Sequence, residues 1–394
     1  MRILHLLDHS VPRRSPYSLR TMSILQQQRE LGWQTIQLTG PRQGQVEVDR
    51  NRSGWHFYRT EAPEASLLGG QLLARMASLN CLTRRLRAVA KLTRPDILHA
   101  HASAQNGLAA LRVGRDLGLP VVYEASPGWS DPAGGLARAI ARTAETYVAQ
   151  RADAVTTSSE AMRVDMRERG VRRAIVVPDA VNLHKFDPVP ARDAGLARRL
   201  GLGDGPVIGF VGPFYAHEGL ALLVGAMPAL LAGLPSLRLL LVGAGPEEAS
   251  LRQQVLQLGL AGKVVFSGLV ARRHNGLYHS LIDLLVYPRL PLPLAEVVPA
   301  IKPLEAMAHG HLVAASNVGS HRELIQHGRT GFLFQAGSAG ALAEAVLRLL
   351  ADRACWQGLR AGARWFVEYE RTWNSSVARY APLYEKLLER RRRR

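Results

Sequence analysis

Short apolar runs of strand length alternate along the chain with longer stretches whose apolar residues recur at helical spacing. In the first half the runs lie at residues 2–9, 34–38, 95–101, 120–124, 154–157 and 174–177; in the second half they lie at 206–212, 237–242, 263–267, 282–286 and 312–316. Helical stretches separate them, among them residues 18–31, 136–151 and 339–350. Strands that alternate with helices in this way predict an α/β protein built on parallel sheets.

The length of the chain predicts two domains. A single core seldom grows beyond about 250–300 residues, and this chain has 394. The stretch 187–205 is rich in proline and charge, which is typical of a linker with one short helix. We therefore predict a Rossmann-like N-terminal domain over 1–180, a second such domain over 181–371, and a helix with a basic tail over 372–394.

The charge of the chain is strongly positive but evenly spread. The net charge is +18, and residues 1–180 and 181–394 each hold 25 lysines and arginines against 16 acids. Such a balance suits nucleic acid, an anionic membrane surface or an anionic substrate. Because aromatic and basic residues are not interleaved as in nucleic-acid readers, we do not expect nucleic acid as a partner.

The cysteines and the apolar stretches limit the compartment. Cys81 and Cys355 stand far apart and form no Cys-x-x-Cys pair, so we expect neither a disulfide framework nor a zinc site. Residues 1–8 are strand-like, and we expect no signal peptide. The least charged stretch, 219–237, contains Pro228 and Pro235, and we predict a helix and a strand there, not a membrane span.

The stretch 282–334 carries the densest group of candidate binding residues. A strand is followed by a proline-rich loop and a helix with Pro303 in its first turn, which would place Glu305 near the third helical position. Loops of this kind bind phosphorylated ligands in parallel sheets. An acid that caps the helix and a solvated surface lysine would give the same pattern without a binding site. The two cations, Arg289 and Lys302, suit a diphosphate. The two carboxylates, Glu296 and Glu305, suit sugar hydroxyls.

Several segments, in order, resemble a known family. The run Lys302-Pro-Leu-Glu-Ala-Met-Ala-His-Gly, then Val313-Ala-Ala-Ser-Asn-Val-Gly and Glu323-Leu-Ile, is similar to the donor-site signature of retaining family 4 glycosyltransferases of the GT-B fold. The run from Val177 to Asn182 resembles the connection between the domains of that family, so the resemblance covers nearly the whole chain. The opening Met1-Arg-Ile-Leu-His-Leu-Leu-Asp-His resembles a branch associated with bacterial exosortase and exopolysaccharide gene systems.

This resemblance implies an architecture and an activity. It implies two Rossmann-like, doubly wound parallel-sheet domains that face across a cleft, with the acceptor on the N-terminal side, the donor on the C-terminal side, and the last helix crossing back. It implies a retaining hexosyltransferase that needs no cofactor and no metal. The donor would be a UDP- or GDP-linked sugar and the acceptor a glycan or polyprenyl-linked sugar, in exopolysaccharide or cell-surface polysaccharide biosynthesis. The location would be the cytoplasm, or the inner face of the plasma membrane.

The resemblance also assigns roles to residues. Lys302 and Arg289 would stabilise the leaving diphosphate, Glu305 would contact the ribose, Glu296 the donor sugar, and His101 a sugar hydroxyl or phosphate. The remaining predicted donor contacts are Gly212, Gly243, Gly245, Leu269, Val270, Pro303 and Leu304.

The chain departs from the family pattern in three places. Pro213 and Glu218 stand where most relatives have an arginine and a lysine that hold the diphosphate. Glu296 lies one position before the usual acid, and Val297 occupies that position. The loop 10–17 has no glycine, which weakens the expectation of a backbone contact with phosphate there.

Two segments of the first half have two interpretations each. The segment 67–91 has leucines at helical spacing and only positive charges, as in an interfacial membrane helix or an ordinary helix packed on a sheet. Glu124 precedes a loop, 125–135, that we expect to face the acceptor. It would either contact the acceptor or be a surface acid, and we interpret His99 as a buried residue.

Other functions remain open at this stage. A nucleotide-sugar epimerase or hydrolase can have the same fold. A catalytically silent scaffold of a membrane assembly is a further alternative, suggested by Pro213, Glu218 and the arginines at 390–394. The oligomeric state is open.

Overall fold

The computed structural model describes residues 1–13, 15–44, 54–63, 71–125, 135–186, 189–271 and 274–393. The chain divides into two compact units. The first, called here the N-terminal domain, comprises Met1–Asp179 with Trp373–Arg394, and the second, the C-terminal domain, comprises Ala180–Thr372. The predicted acceptor loop, the start of the 67–91 segment and Arg394 lie outside the described residues.

The N-terminal domain contains a seven-stranded parallel sheet with the strand order β3-β2-β1-β4-β5-β6-β7. The order reverses between β1 and β4, which makes the sheet doubly wound. Its strands are β1 (Arg2–Leu7), β2 (Gln34–Thr39), β3 (Phe57–Arg59), β4 (Ile97–His101), β5 (Val121–Glu124), β6 (Ala154–Thr157) and β7 (Ala174–Val176). The helices that follow its strands are α1 (Pro16–Glu30), α2 (Gln71–Thr93), α3 (Ala104–Leu117), α4 (Leu136–Arg151) and α5 (Glu160–Glu168).

The C-terminal domain contains a six-stranded parallel sheet with the order β10-β9-β8-β11-β12-β13, reversed between β8 and β11. Its strands are β8 (Val207–Val211), β9 (Arg238–Val242), β10 (Val264–Gly268), β11 (Leu284–Tyr287), β12 (Leu312–Ser316) and β13 (Phe332–Phe334). Its helices are α6 (Ala194–Arg199), α7 (Leu220–Gly233), α8 (Glu248–Gln257), α9 (Asn275–His279), α10 (Pro293–Val297), α11 (Ile301–Ala308), α12 (Gly319–Arg322), α13 (Ala339–Ala351) and α14 (Trp356–Glu370). Two doubly wound parallel sheets confirm the predicted fold class.

The end of the described chain forms two helices where the sequence predicted one. They are α15 (Trp373–Ala378) and α16 (Tyr380–Arg392), and Arg379 lies between them. The Ser376 hydroxyl donates to the carbonyl of Pro178, which fixes α15 at the base of the N-terminal domain. Helix α16 buries Tyr380, Tyr384 and Leu387 in the same core as Ile3 of the sheet.

One helical stretch of the described residues, Ala216–Gly233, is long and apolar enough to cross a membrane by length and composition. It belongs to the C-terminal domain, where Leu223, Val224 and Met227 of α7 are fully buried. This burial is typical of a core helix, and the helix lies where the sequence predicted one.

Candidate functional site

Two loops meet at the carboxyl edge of the C-terminal sheet. Strands β8 and β11 pair in parallel with Ile208 beside Leu284, and the strand order reverses at this pair. The turn after β8 contains a short 3-10 helix, Ala216–Glu218, and the segment after β11 leads through α10 to α11. The Leu290 N–H donates to the His217 carbonyl over 3.0 Å. Open α/β sheets bind ligands at such a reversal, so these loops form our candidate site.

An ion pair between Glu218 and Lys302 lies at this edge. The Lys302 Nζ is 2.6 Å from Glu218 Oε1, and the His217 Nε2 is 3.2 Å from the same oxygen. Glu218 is 5% exposed. Burial lowers the pKa of Lys302, while the Glu218 carboxylate opposes that shift. The predicted diphosphate cation therefore has a buried carboxylate as its partner.

Gly212 provides the space through which the Lys302 side chain passes. A Cβ at Gly212 would lie 2.7 Å from Lys302 Cε, and the residue has a φ of 147°. Gly243 packs against it, because a Cβ there would lie 2.0 Å from the Gly212 carbonyl oxygen. A Cβ at Gly245 would lie 2.5 Å from the Phe214 carbonyl oxygen. Close packing within the protein thus accounts for these three glycines, which the sequence assigned to ligand contact.

Arg289, the second predicted diphosphate cation, is held inside the domain. It is 7% exposed, and its Nη1 donates to the Val298 carbonyl and to Ser320 Oγ, each over 3.0 Å. Burial lowers the pKa of its guanidinium. Arg289 therefore braces the loop before α11, and its Nη1 is already committed to protein acceptors.

Glu296, the predicted donor-sugar contact, also has protein partners. Its Oε2 accepts hydrogen bonds from the Gly319 N–H over 2.9 Å and from Arg322 Nη2 over 3.0 Å. Gly319 begins α12, so this oxygen of Glu296 satisfies a backbone donor at a helix start. The side chain is 44% exposed.

Helix α11 begins earlier than the sequence suggested. Its first residue is Ile301, so Glu305 is at the fifth helical position and lies beyond the first turn, not near the third. Pro303 and Leu304 are buried, with Leu304 at 1% exposure. Their side chains pack into the core. Leu269 is 83% exposed, while Val270 is half-buried.

Three buried histidines lie at the corresponding reversal of the N-terminal sheet. His5 Nδ1 is 2.9 Å from His101 Nε2, and His101 Nδ1 is 2.5 Å from Glu124 Oε2. Both ring nitrogens of His101 thus face protein groups, and a sugar hydroxyl could reach this imidazole only by displacing one of them. His99 is buried as predicted, but its partner is a side chain, since its Nδ1 lies 2.8 Å from the Tyr384 hydroxyl.

Glu124 is not the surface acid that one interpretation suggested. It is 7% exposed, and its Oε1 accepts a hydrogen bond from Arg20 Nε over 2.9 Å. Arg20 also forms an ion pair with Asp179. Burial acts to raise the pKa of Glu124, but Arg20 and His101 outweigh it and hold that pKa well below its usual range.

The same histidines form the one group of three or more His, Cys, Asp or Glu side chains, among the described residues, with the spacing of a metal site. Nitrogens of His5, His99 and His101 lie within 4.8 Å of one another. His5 Nε2 and His99 Nε2 have no hydrogen-bond partner. Burial lowers the pKa of His5 and of His99 well below the usual value, so both rings are neutral, as a metal ligand must be.

Sequence reasoning missed both buried ion pairs. Glu218 and Lys302 are far apart in the sequence, and the pairing of β8 with β11 brings them together. The available signal was the charge exchange itself, because an acid stands at 218 where the family resemblance led us to expect a lysine. Arg20 carried no comparable signal.

Two family models match the chain, one in each domain. The model described as "Glycosyl transferase 4-like domain" matches residues 17–180. The model described as "Glycosyl transferases group 1" matches residues 205–352. The second match contains the turn after β8 and the loop before α11.

Curated relatives are similar over part or most of the chain. A GDP-mannose-dependent alpha-(1-6)-phosphatidylinositol monomannoside mannosyltransferase of Mycobacterium tuberculosis is 31% identical over 207 residues, which are 52% of this chain and 54% of that protein. The Mycolicibacterium smegmatis enzyme of the same name is 31% identical over 62% of this chain and 65% of its own. The chain thus spans about half to two thirds of these relatives. A GDP-mannose-dependent alpha-mannosyltransferase of Mycolicibacterium smegmatis is 26% identical over 90% of both chains.

Solved structures share the fold over the whole chain. Anabaena HepE in complex with UDP has a TM-score of 0.78 at 18% identity and covers 98% of this chain and 100% of its own. The sucrose-phosphate synthase of Thermosynechococcus elongatus has a TM-score of 0.72 at 22% identity, with 98% and 99% covered. The N-terminal domain thus matches the glycosyl transferase 4-like model and the C-terminal domain the glycosyl transferases group 1 model, and the two sheets have the GT-B fold of glycosyltransferases.

Proposed function

We propose that the chain is a retaining glycosyltransferase that moves a hexosyl group from a UDP- or GDP-linked sugar to a glycan or polyprenyl-linked acceptor. The observation that carries this proposal is the Lys302 ammonium, held 2.6 Å from Glu218 where the C-terminal strand order reverses. An ammonium beside a helix start suits a diphosphate. The relatives named as GDP-mannose-dependent and the HepE complex with UDP support the donor class.

In the proposed reaction, the bond between the anomeric carbon and the diphosphate oxygen breaks, and its electron pair leaves with the diphosphate. The acceptor hydroxyl forms the new bond on the same face of the sugar, and its proton passes to the departing diphosphate. Lys302 stabilises the negative charge that develops on the leaving group. Glu305 binds the ribose.

We propose that this transfer needs no metal, because Lys302 can supply the positive charge. The measurement is turnover of the donor after treatment with EDTA, together with the metal content of the purified protein. Full activity in EDTA agrees with the proposal. Activity that is lost and then restored by one divalent ion contradicts it, and a bound metal that disappears in His99→Ala would assign that ion to the three histidines.

We propose a cytoplasmic location with peripheral binding to the inner face of the plasma membrane, in an exopolysaccharide pathway associated with an exosortase system. Helix α2 supports the binding to a membrane surface, because Leu73 and Met76 are 50% and 55% exposed and the helix contains no acid. Farther along, Leu82 and Leu86 are buried, while Leu92 near the end of α2 is 71% exposed, so the exposed apolar side chains lie towards the two ends of the helix. Flotation with phosphatidylglycerol vesicles tests the proposal, and Leu73→Ser with Met76→Ser should reduce binding.

A thermal-shift panel tests the activity. UDP, GDP, ADP, UDP-glucose and GDP-mannose are compared on the wild type, Lys302→Ala and Glu305→Ala. A ligand that binds the native state raises the melting temperature with its occupancy. We expect one nucleotide family to stabilise the wild type and both substitutions to abolish that shift. If millimolar concentrations of all five compounds leave the melting temperature of the wild type unchanged, the donor site is refuted and a silent scaffold becomes the better interpretation. Consumption of the donor without an acceptor would favour an epimerase or hydrolase.

A further inference from the structure

Glu218 is a buried acid, and a lysine can bind a diphosphate without a carboxylate beside it. It ends the 3-10 turn after β8 and is 5% exposed. Taking a carboxylate out of water is costly unless it is paired and hydrogen-bonded. Here the partners are Lys302 Nζ at 2.6 Å and His217 Nε2 at 3.2 Å.

The surroundings of the pair keep it in one place. The Lys302 stem runs over Gly212, where a Cβ would lie 2.7 Å from its Cε, and the ammonium lies 5.1 Å from the centre of the Phe210 ring. On the other side, Gly219 packs so closely that a Cβ would lie 2.1 Å from the Pro288 carbonyl oxygen. The two loops therefore hold the carboxylate and the ammonium in a fixed geometry.

The acid expected to contact the donor sugar is engaged elsewhere. One oxygen of Glu296 caps α12 through the Gly319 N–H and also binds Arg322. The next position, Val297, has no carboxylate. Glu218 thus supplies a carboxylate beside Lys302, whereas position 297, where the family pattern led us to expect an acid, holds a valine.

We propose that Glu218 contacts the donor sugar while Lys302 binds the diphosphate. This inference rests on the proposed function. A carboxylate accepts several hydrogen bonds, so Glu218 can bind Lys302 and accept from sugar hydroxyls at once. A lysine ammonium carries three N–H donors, and the contact with Glu218 uses one of them. The carboxylate thus binds the sugar hydroxyls, while the diphosphate needs only the ammonium.

The test separates sugar recognition from diphosphate binding. Calorimetry measures the dissociation constants of UDP and UDP-glucose, and of GDP and GDP-mannose, for the wild type and for Glu218→Gln. In the variant we expect the nucleotide sugar that binds the wild type to bind at least about tenfold more weakly. We expect the matching nucleoside diphosphate to stay within about threefold of its wild-type affinity, or to bind more tightly, because Lys302 has lost its counter-charge.

Glu368→Gln is the matched control, since it removes the same charge from a half-exposed pair with Arg364 in the same domain. Glu218→Asp is the second variant, used if Glu218→Gln does not fold. It keeps the charge but shortens the side chain, so the sugar contact should weaken while diphosphate binding persists.

The outcomes are distinct from those of the proposed function. If the wild type binds the nucleotide sugar and Glu218→Gln binds it equally well, the role of Glu218 is refuted and the proposed function stands. If the variant loses sugar and diphosphate affinity in parallel, Glu218 is only structural, which also refutes the inference. If the wild type binds none of the four compounds, the proposed function itself fails.

Discussion

At the scale of single residues, Gly212 decides whether Lys302 fits its position. In Gly212→Ala the new Cβ would overlap the lysine stem, and the φ of 147° is strained for any side chain. We expect a loss of about 1–3 kcal/mol of stability and of about tenfold in affinity for the nucleoside diphosphate. Chemical denaturation and calorimetry measure the two effects.

Gly225→Ala is the control for this substitution. Gly225 lies within α7 and the nearest atom to a new Cβ is the flexible end of Gln254, at 3.5 Å. Alanine there should raise stability by about 0.5–1 kcal/mol. Equal ligand affinity in Gly212→Ala and Gly225→Ala would show that the path of Lys302 does not depend on Gly212.

The pairing with buried Arg20 makes Glu124 sensitive to substitution. Glu124→Gln removes one of the two carboxylates that pair with the buried Arg20, the other being Asp179. We expect a loss of about 3–5 kcal/mol, because one partner of a buried pair is removed. In contrast, Asp116→Asn breaks a half-exposed pair with Arg87 and should cost less than about 1 kcal/mol. Urea unfolding curves that show equal losses would contradict this assignment.

Which residues carry charge at the site could be predicted, but their partners could not. Composition and spacing singled out Lys302 and Arg289, and both lie at the candidate site, Arg289 in the loop after β11 and Lys302 in the first turn of α11. The sequence could not show that Arg289 Nη1 bonds Ser320 or that Glu218 pairs with Lys302. Those contacts join distant segments, and they depend on strand order and on backbone space left by Gly212.

At the scale of elements, regular segments with strong periodicity were predicted well. Residues 136–151, 154–157 and 312–316 are the bounds of α4, β6 and β12. Strand β11 starts two residues later than predicted, because the Asp283 carboxylate accepts the Val207 N–H over 2.8 Å and fixes the turn before the strand. The contact of Ser376 in α15 with Pro178 joins segments that are distant in the sequence, and no local pattern shows it.

Helix α16 is part of the core of the N-terminal domain, which gives a prediction for truncation. A chain that ends at Thr372 exposes Ile3 and its neighbours by removing Tyr380 and Tyr384. Burial of each such side chain contributes about 1.5–3 kcal/mol, so the N-terminal domain should lose its cooperative melting transition. The C-terminal domain, whose contiguous stretch Ala180–Thr372 is intact, should keep its own.

A chain that ends at Glu389 is the control. It retains Tyr380, Tyr384 and Leu387, so calorimetry should show both transitions. The same variant should bind phosphatidylglycerol vesicles less well if the arginines at 390–394 contact lipid. Two intact transitions in the Thr372 truncation would show that the core does not need α16.

At the scale of the whole molecule, buried neutral histidines predict sensitivity to acid. Burial lowers the pKa of His279 to about 4 and that of His321 to about 4. An unfolded histidine takes up its proton near pH 6.5, so the unfolded C-terminal domain binds more protons than the folded one between pH 6.5 and 4. Each histidine should therefore lower stability by about 2 kcal/mol between pH 6.5 and 5.

Urea midpoints at pH 7.5, 6 and 5 measure this loss. The stability of His279→Gln should fall less steeply with decreasing pH than that of the wild type, by about 1.4 kcal/mol per pH unit. A stability that stays constant from pH 7.5 to 5 would show that these histidines are protonated in the folded state.

The return of α15 and α16 to the N-terminal domain has a consequence for synthesis on the ribosome. The strands of that domain emerge first, but Tyr380, Tyr384 and Leu387 of its core emerge only after the whole C-terminal domain. Because domains fold as units once their residues are available, the C-terminal domain can complete its core while the first sheet still lacks part of its own. The domain that is translated first is the one that is finished last.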